Sequence, residues 1–199
     1  MSYNNPISRK SLRQNQILDA AAHCFVEKGF HGAGMAEVAK RSGMSTGHIY
    51  HYFANKQAII LAIVERESDE AMVRIGQLER LPIDSFKDHF IDHIVGAITQ
   101  KISPFQTSLD AEIVAEGHRN EQVRKRMLDN DERVRSKLCE VLEPKLQVKN
   151  LEQLVDSLMT LLLGITSRYS RNPERVTAIT ETLLRTTLAS LIEEFSEAA

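Results

Sequence analysis

Met35-Ala36-Glu37-Val38-Ala39-Lys40-Arg41-Ser42-Gly43-Met44-Ser45-Thr46-Gly47-His48-Ile49-Tyr50-His51-Tyr52-Phe53-Ala54-Asn55-Lys56 is the stretch that decides the fold. Two short helical runs meet in it at a glycine turn, Arg41-Ser42-Gly43-Met44-Ser45. The first run, about Met35 to Ser42, sets Met35, Val38 and Ala39 on one apolar side at helical spacing. Gly43 permits a sharp turn, because a residue without Cβ adopts left-handed backbone at little cost. Ser45 is the expected N-cap of the second run, which continues to about Tyr52. Val38, Ala39, Met44 and Ile49 then face inward and fix the angle between the helices. This is the helix-turn-helix pattern, whose second helix enters a major groove. That helix is small at its tip, with Ser45, Thr46 and Gly47, so its backbone can approach base edges and phosphate. Its free N–H groups and dipole favour an anion there. Tyr50 and His51 follow, hydrogen-bonding groups without fixed charge. Lys56 opens the next helix, where a phosphate meets both an ammonium and a helix end. Thr46, His48, His51 and Lys56 cannot all be buried cheaply, which argues against a plain helical hairpin inside a core.

Outward from this stretch the chain reads helical almost throughout, with five Pro in 199 residues and no long period-2 pattern. Upstream, about Lys10 to Lys28, Ile17, Leu18, Ala21, Ala22, Phe25 and Val26 form one apolar stripe. Gly29 ends that helix as a left-handed cap, and Phe30 folds back on it. Downstream, Asn55 caps a long helix from Lys56 to about Leu78. Further helices are expected at about Asp84–Lys101, Phe105–Glu116, from the cap Asn120 to Leu142, Leu151–Ser170 and Pro173–Phe195. Asn172-Pro173 is the junction signal for the last of these. The fold class is all-α. Residues 1–55 form a three-helix DNA-binding domain with the helix-turn-helix. Residues 56–199 form a second helical domain, to which the resemblance of the N-terminal domain to a known family assigns effector binding and dimerisation.

Charge is distributed to match. The total is −2, but residues 1–60 hold seven Lys/Arg against three acids, a local +4, and the rest carries −6. A basic first third on an acidic body points to a polyanion partner for the N-terminal part alone. Apolar residues at 42% and charged residues at 26% exclude collagenous, disordered and disulfide-scaffold classes. Cys24 and Cys139 fall in no metal or redox spacing and read as free thiols of a reducing compartment. The start has no apolar signal segment, and no apolar run approaches a membrane span. A cytoplasmic protein is therefore expected.

The stretch from Gly29-Phe30 through Met35-Ala36-Glu37-Val38-Ala39 to Lys56 resembles the N-terminal domain of the TetR family of one-component repressors. The specific part is Ser-x-Gly-x-(aliphatic)-Tyr-x-(aromatic)-Phe, followed three residues on by Lys. The close match covers about 45 residues, and the all-helical plan fits the remainder. The resemblance implies a homodimer that binds a palindromic double-stranded DNA operator and is released by a small-molecule effector. It implies that Ser45, Thr46, Gly47, His48, Tyr50, His51 and Lys56 face DNA. Tyr50, His51 and Lys56 would hold phosphates, and Thr46 and His48 would lie nearest the bases. Arg9, Lys10 and Arg13 stand where family members often add backbone or minor-groove contacts. One departure is that Ala33 and Gly34 replace the usual Thr or Ser ahead of the second helix, so no side-chain phosphate contact is carried over there. His31 is either its substitute or a solvated loop residue.

The C-terminal two-thirds holds no nucleophile elbow, P-loop or dinucleotide fingerprint, so no enzyme and no cofactor are expected. The last two helices carry more apolar residues than one face needs, and a two-fold four-helix bundle would cover the surplus. Leu158, Leu161, Ile165, Leu184, Leu188 and Leu191 are the expected interface. The expected effector pocket takes Phe86, His89, Phe90, His93, Phe105, Leu109, Glu112, Met127, Met159, Leu162 and Tyr169, a mixture of aromatic, Met and isolated polar groups. Leu109-Asp110-Ala111-Glu112-Ile113-Val114-Ala115-Glu116-Gly117-His118-Arg119-Asn120 resembles a stretch that recurs in the family near both pocket and DNA-binding domain. His89 and His93 share a helix face and could take a metal with Glu112 or His118, although no metal site is assigned. A helical metal-dependent enzyme and an interaction module that binds no DNA are the alternatives.

Overall fold

The computed structural model describes residues 8–174 and 181–196. The first helix, α1 (Arg9–Gly32), starts behind Ser8, whose Oγ accepts the Ser11 N–H at 3.1 Å. Its inner face buries Ile17, Leu18, Ala21 and Phe25. The helical course breaks at Gly29, with φ 73° and ψ 158°, a backbone that a side chain would strain. The expected glycine break is present, but a last turn, Phe30–Gly32, resumes beyond it. Phe30 packs edge-on against Phe25, ring centroids 5.2 Å apart.

α2 (Met35–Ser42) begins at Gly34, which offers no side-chain cap. It ends at Gly43, left-handed with φ 67° and ψ 28°. α3 (Thr46–Tyr52) is capped by Ser45, whose Oγ accepts the His48 N–H at 3.2 Å. α4 (Lys56–Leu78) is capped by Asn55, whose Oδ1 accepts the Ala58 N–H at 2.8 Å. A 3₁₀ turn, Ile83–Ser85, leads into α5 (Phe86–Lys101). Then come α6 (Pro104–Gly117), α7 (Glu121–Leu142), α8 (Leu151–Arg171) and α9 (Glu181–Phe195). Val176 and Ile179, expected on the last helix, lie outside the described residues.

The helices form two compact units. The first gathers the chain up to Arg66 with Leu109–Met127. It contains the helix-turn-helix, the start of α4 and the hairpin made by the end of α6 and the start of α7, Leu109–Met127. That hairpin contributes Leu109, Ile113 and Val123 to the unit's buried residues, beside Ile49, Ile59, Ile60 and Ile63. The division at 55/56 read from the sequence follows chain order, whereas the first unit recruits this distant hairpin.

The second unit holds Glu67–Ser108 and the chain from Leu128. Its core includes Leu78, Phe86, Phe90, Leu142, Leu154, Val155, Leu158, Leu188 and Ile192. Each such side chain contributes roughly 1.5–3 kcal/mol on burial. Phe86 and Phe90 stack at 5.6 Å, and α9 packs on α5 and α8. The end of α4 is closed by Lys145. Its ammonium donates to the carbonyls of Leu78 (3.0 Å), Glu79 (2.8 Å) and Leu81 (2.8 Å), and lies 5.0 Å above the Phe86 ring.

Candidate nucleic-acid interface

The short helix α3 is anchored by one side chain, Ile49, which is fully buried. Around it Ser45, Gly47, His48, Tyr50 and His51 are exposed and Thr46 is half-buried. Tyr50 is 51% exposed. The half-buried Tyr52 ring lies 5.4 Å from that of His48 and 5.3 Å from that of His51, and so orients both imidazoles. The sequence reading gave Tyr52 no role; its i,i+4 spacing from His48 was the available signal. A Cβ on Gly47 would meet nothing within 4 Å. Among the described residues no packing therefore demands glycine at this position, although glycine weakens a helix.

Three contacts fix the motif against α1. The Arg41 guanidinium makes two 2.6 Å hydrogen bonds to the Glu27 carboxylate, which holds that carboxyl below its ordinary range. Lys28 pairs with Glu37, and Gln16 Nε2 donates to the Ser42 carbonyl at 2.7 Å. Arg13 in turn donates to Gln16 at 2.8 Å. Arg9, Lys10 and Arg13 are exposed at the start of α1.

Lys56, expected to hold a phosphate, has partners within the chain. Its ammonium turns inward and donates to the carbonyls of Phe30, His31 (3.2 Å) and Ala33 (2.9 Å), 4.6 Å above the Phe30 ring. Its three protons thus face the carbonyls left open where α1 ends. Burial lowers its pKa, and the charge of Glu116 opposes that shift. His31 is exposed, with Nε2 3.1 Å from Glu116 Oε2.

The α6–α7 hairpin meets the same region. The Phe30 N–H donates to Glu112 Oε2 at 3.0 Å. Gln57 Nε2 donates to Asn120 Oδ1 at 3.3 Å and Gln122 Oε1 at 2.9 Å. Arg126 pairs with Glu65 at 2.5 Å. A Cβ on Gly117 would come within 2.8 Å of the Met127 sulfur, so glycine makes room for that side chain.

The eleven expected pocket residues are divided between the units. Leu109, Glu112 and Met127 belong to the first, where Glu112 serves the Phe30 amide. In the second, Phe86 and Phe90 are each 1% exposed and form core. His89 is exposed, with Nδ1 2.9 Å from the Ser85 carbonyl. His93 is half-buried, and burial followed by the charge of Arg74 lowers its pKa. Phe105, Met159, Leu162 and Tyr169 are half-buried. Among the described residues no three His, Cys, Asp or Glu gather as metal ligands.

The six expected interface residues differ in exposure within the chain. Leu158, Leu184 and Leu188 are 2%, 7% and 0% exposed within their own chain, because they belong to the stripe that packs on the core. Leu161, Ile165 and Leu191 are half-buried. An open groove on α8 and α9 is lined by Asp156, Ser157, Thr160, Leu161, Thr187, Ser190 and Leu191. Leu163 on α8 and Leu183 on α9 are 63% and 55% exposed.

A family profile described as "Bacterial regulatory proteins, tetR family" matches residues 17–63. The HTH-type transcriptional regulator UidR of Escherichia coli (strain K12) is 38% identical over 112 residues, 55% of this chain and 54% of UidR. The chain thus spans about half the length of the curated relative it matches. The solved structure of Salmonella enterica GusR is 27% identical, with a TM-score of 0.71, and the match covers 95% of this chain and 100% of GusR. FadR of Bacillus subtilis, solved in complex with stearoyl-CoA, shares the fold at a TM-score of 0.70 and 16% identity, over 88% of this chain and 97% of FadR. No described helix is long and apolar enough to cross a membrane.

Proposed function

Because the chain belongs to the tetR family of bacterial regulatory proteins, we propose that it is a ligand-responsive regulator that binds a palindromic operator as a homodimer. Repression is the default action, with release by a small-molecule effector. The observation that carries the reading is the outer surface of α3. Ser45, Gly47, His48, Tyr50 and His51 are exposed together, and Gly47 has open space around it. In this reading Thr46 and His48 face base edges, Tyr50 and His51 face phosphates, and Arg9, Lys10 and Arg13 add backbone contacts. The local charge of +4 in residues 1–60 supports the same partner.

Residues 1–55 supply DNA binding and residues 56–199 supply effector binding and dimerisation. The exposed His89 and the half-buried His93, Phe105, Met159, Leu162 and Tyr169 are the effector candidates that keep accessible surface within the second unit. The groove on α8 and α9, two helices that also expose Leu163 and Leu183, is the proposed seam with a second copy. A two-fold dimer presents two copies of α3 to two half-sites. The effector then acts by binding better to the state whose α3 spacing does not fit the operator.

Selection of bound sequences from random DNA tests the reading. The expected product is an inverted repeat with one fixed half-site spacing. Enrichment of no sequence, or of an asymmetric one, would defeat it.

A further inference from the structure

The short segment between α1 and α2 has an unusual support. Gly29 turns the backbone out of the helix at φ 73°, so the Phe30 N–H lies beyond the break. Phe30 is only 6% exposed, and a buried amide without an acceptor is costly. The acceptor comes from eighty-two residues away, Glu112 Oε2 at 3.0 Å. The Phe30 carbonyl is held in turn by Lys56, the first residue of α4, together with those of His31 and Ala33. Gly34, the next residue, is the N-cap of α2, and α2 carries α3 through the Gly43 turn. The entry to the helix-turn-helix is thus clamped from two sides, by α6 at the amide and by α4 at the carbonyls.

We infer that Glu112 is a positioning residue for DNA binding, acting through the Phe30 amide and not through contact with DNA. This inference rests on the DNA-binding reading above. Losing the acceptor frees Phe30–Ala33 and lets α2 and α3 shift relative to the start of α1. Glu112 touches no phosphate in this scheme, so its loss weakens binding to every sequence alike and leaves the number of released counterions unchanged. The carboxylate charge is not required, only an oxygen at that place. Glu112→Gln keeps such an oxygen and Glu112→Ala does not.

The test measures affinity for the selected operator and for unrelated DNA across salt, well below the unfolding midpoint of each variant. Glu112→Ala is expected to bind both DNAs at least about fivefold more weakly with an unchanged salt slope. Glu112→Gln is expected within about twofold of wild type. A merely stabilising residue would lower the midpoint of Glu112→Ala and leave the affinity of the folded molecules intact, which overturns the inference. Equal weakening of both variants overturns it too, since the charge would then be the active feature. Should Glu112→Ala not fold, hydrogen exchange of the wild-type Phe30 amide decides. Stronger protection on operator binding supports the inference, and unchanged protection overturns it. A wild-type chain that retains no DNA in the selection overturns the underlying reading instead, before any variant is compared.

Discussion

Lys56 shows how far a single side chain can differ from its local signature. A lysine opening a helix behind a helix-turn-helix looks the same in sequence whether its ammonium meets an outside phosphate or inside carbonyls. The deciding groups, Phe30, His31 and Ala33, lie more than twenty residues back. Lys56→Met should therefore lower the unfolding midpoint by the equivalent of about 1–3 kcal/mol, as charged hydrogen bonds to three carbonyls are lost. Its DNA affinity should keep the wild-type salt slope; a slope smaller by about one phosphate would place the ammonium on DNA. Gly47 gives the opposite pairing of effects. With open space around its Cα, Gly47→Ala should stabilise the fold by about 0.5–1 kcal/mol while weakening operator binding. Unaltered affinity in calorimetric titration would show that the methyl meets nothing on DNA. The exposed character of α3 was legible because Ser45, His48 and His51 are costly to bury wherever they occur. The inward turn of Lys56 was not, because it depends on the kink at Gly29.

At the scale of elements, the docking of α2 on α1 rests on charged contacts as well as on Val38 and Ala39. The Glu27–Arg41 pair has a definite pH signature. The carboxyl titrates lower in the folded chain than in the unfolded one. Its stabilisation is therefore full above the ordinary carboxylate value of 4.5 and is lost as pH falls through the lower folded value. In urea titrations, Glu27→Gln should be less stable than wild type at neutral pH, and the difference should shrink in acid. A difference independent of pH would mean that the pair contributes nothing through charge. Helix ends were readable for a related reason: Ser45, Asn55 and Asn120 cap through bonds within three residues of themselves. The α6–α7 hairpin's membership of the first unit was not readable. Leu109, Ile113 and Val123 spell a core face without saying which core.

For the whole molecule, the sequence showed that the last two helices hold surplus apolar residues but not which stripe turns outward. Both stripes recur at helical spacing, yet Leu188 of α9, which packs on α5 and α8, is 0% exposed and Leu163 of α8 is 63% exposed. The two give contrasting expectations. Leu163→Glu should leave the helical circular dichroism intact and halve the mass seen by light scattering. Leu188→Glu should abolish cooperative unfolding, because the charge enters a core at 0% exposure. A dimeric Leu163→Glu would move the seam elsewhere. One further feature serves both units. Lys56 and Lys145 close the ends of α1 and α4 in the same manner, each ammonium on three carbonyls and over a phenylalanine face. These hydrogen bonds should slow reagents that modify lysine at both amines. In a timed acylation read by mass spectrometry they should label last, and each becomes reactive only when its own helix end opens. The wild-type sequence thus carries two built-in reporters, one for each unit.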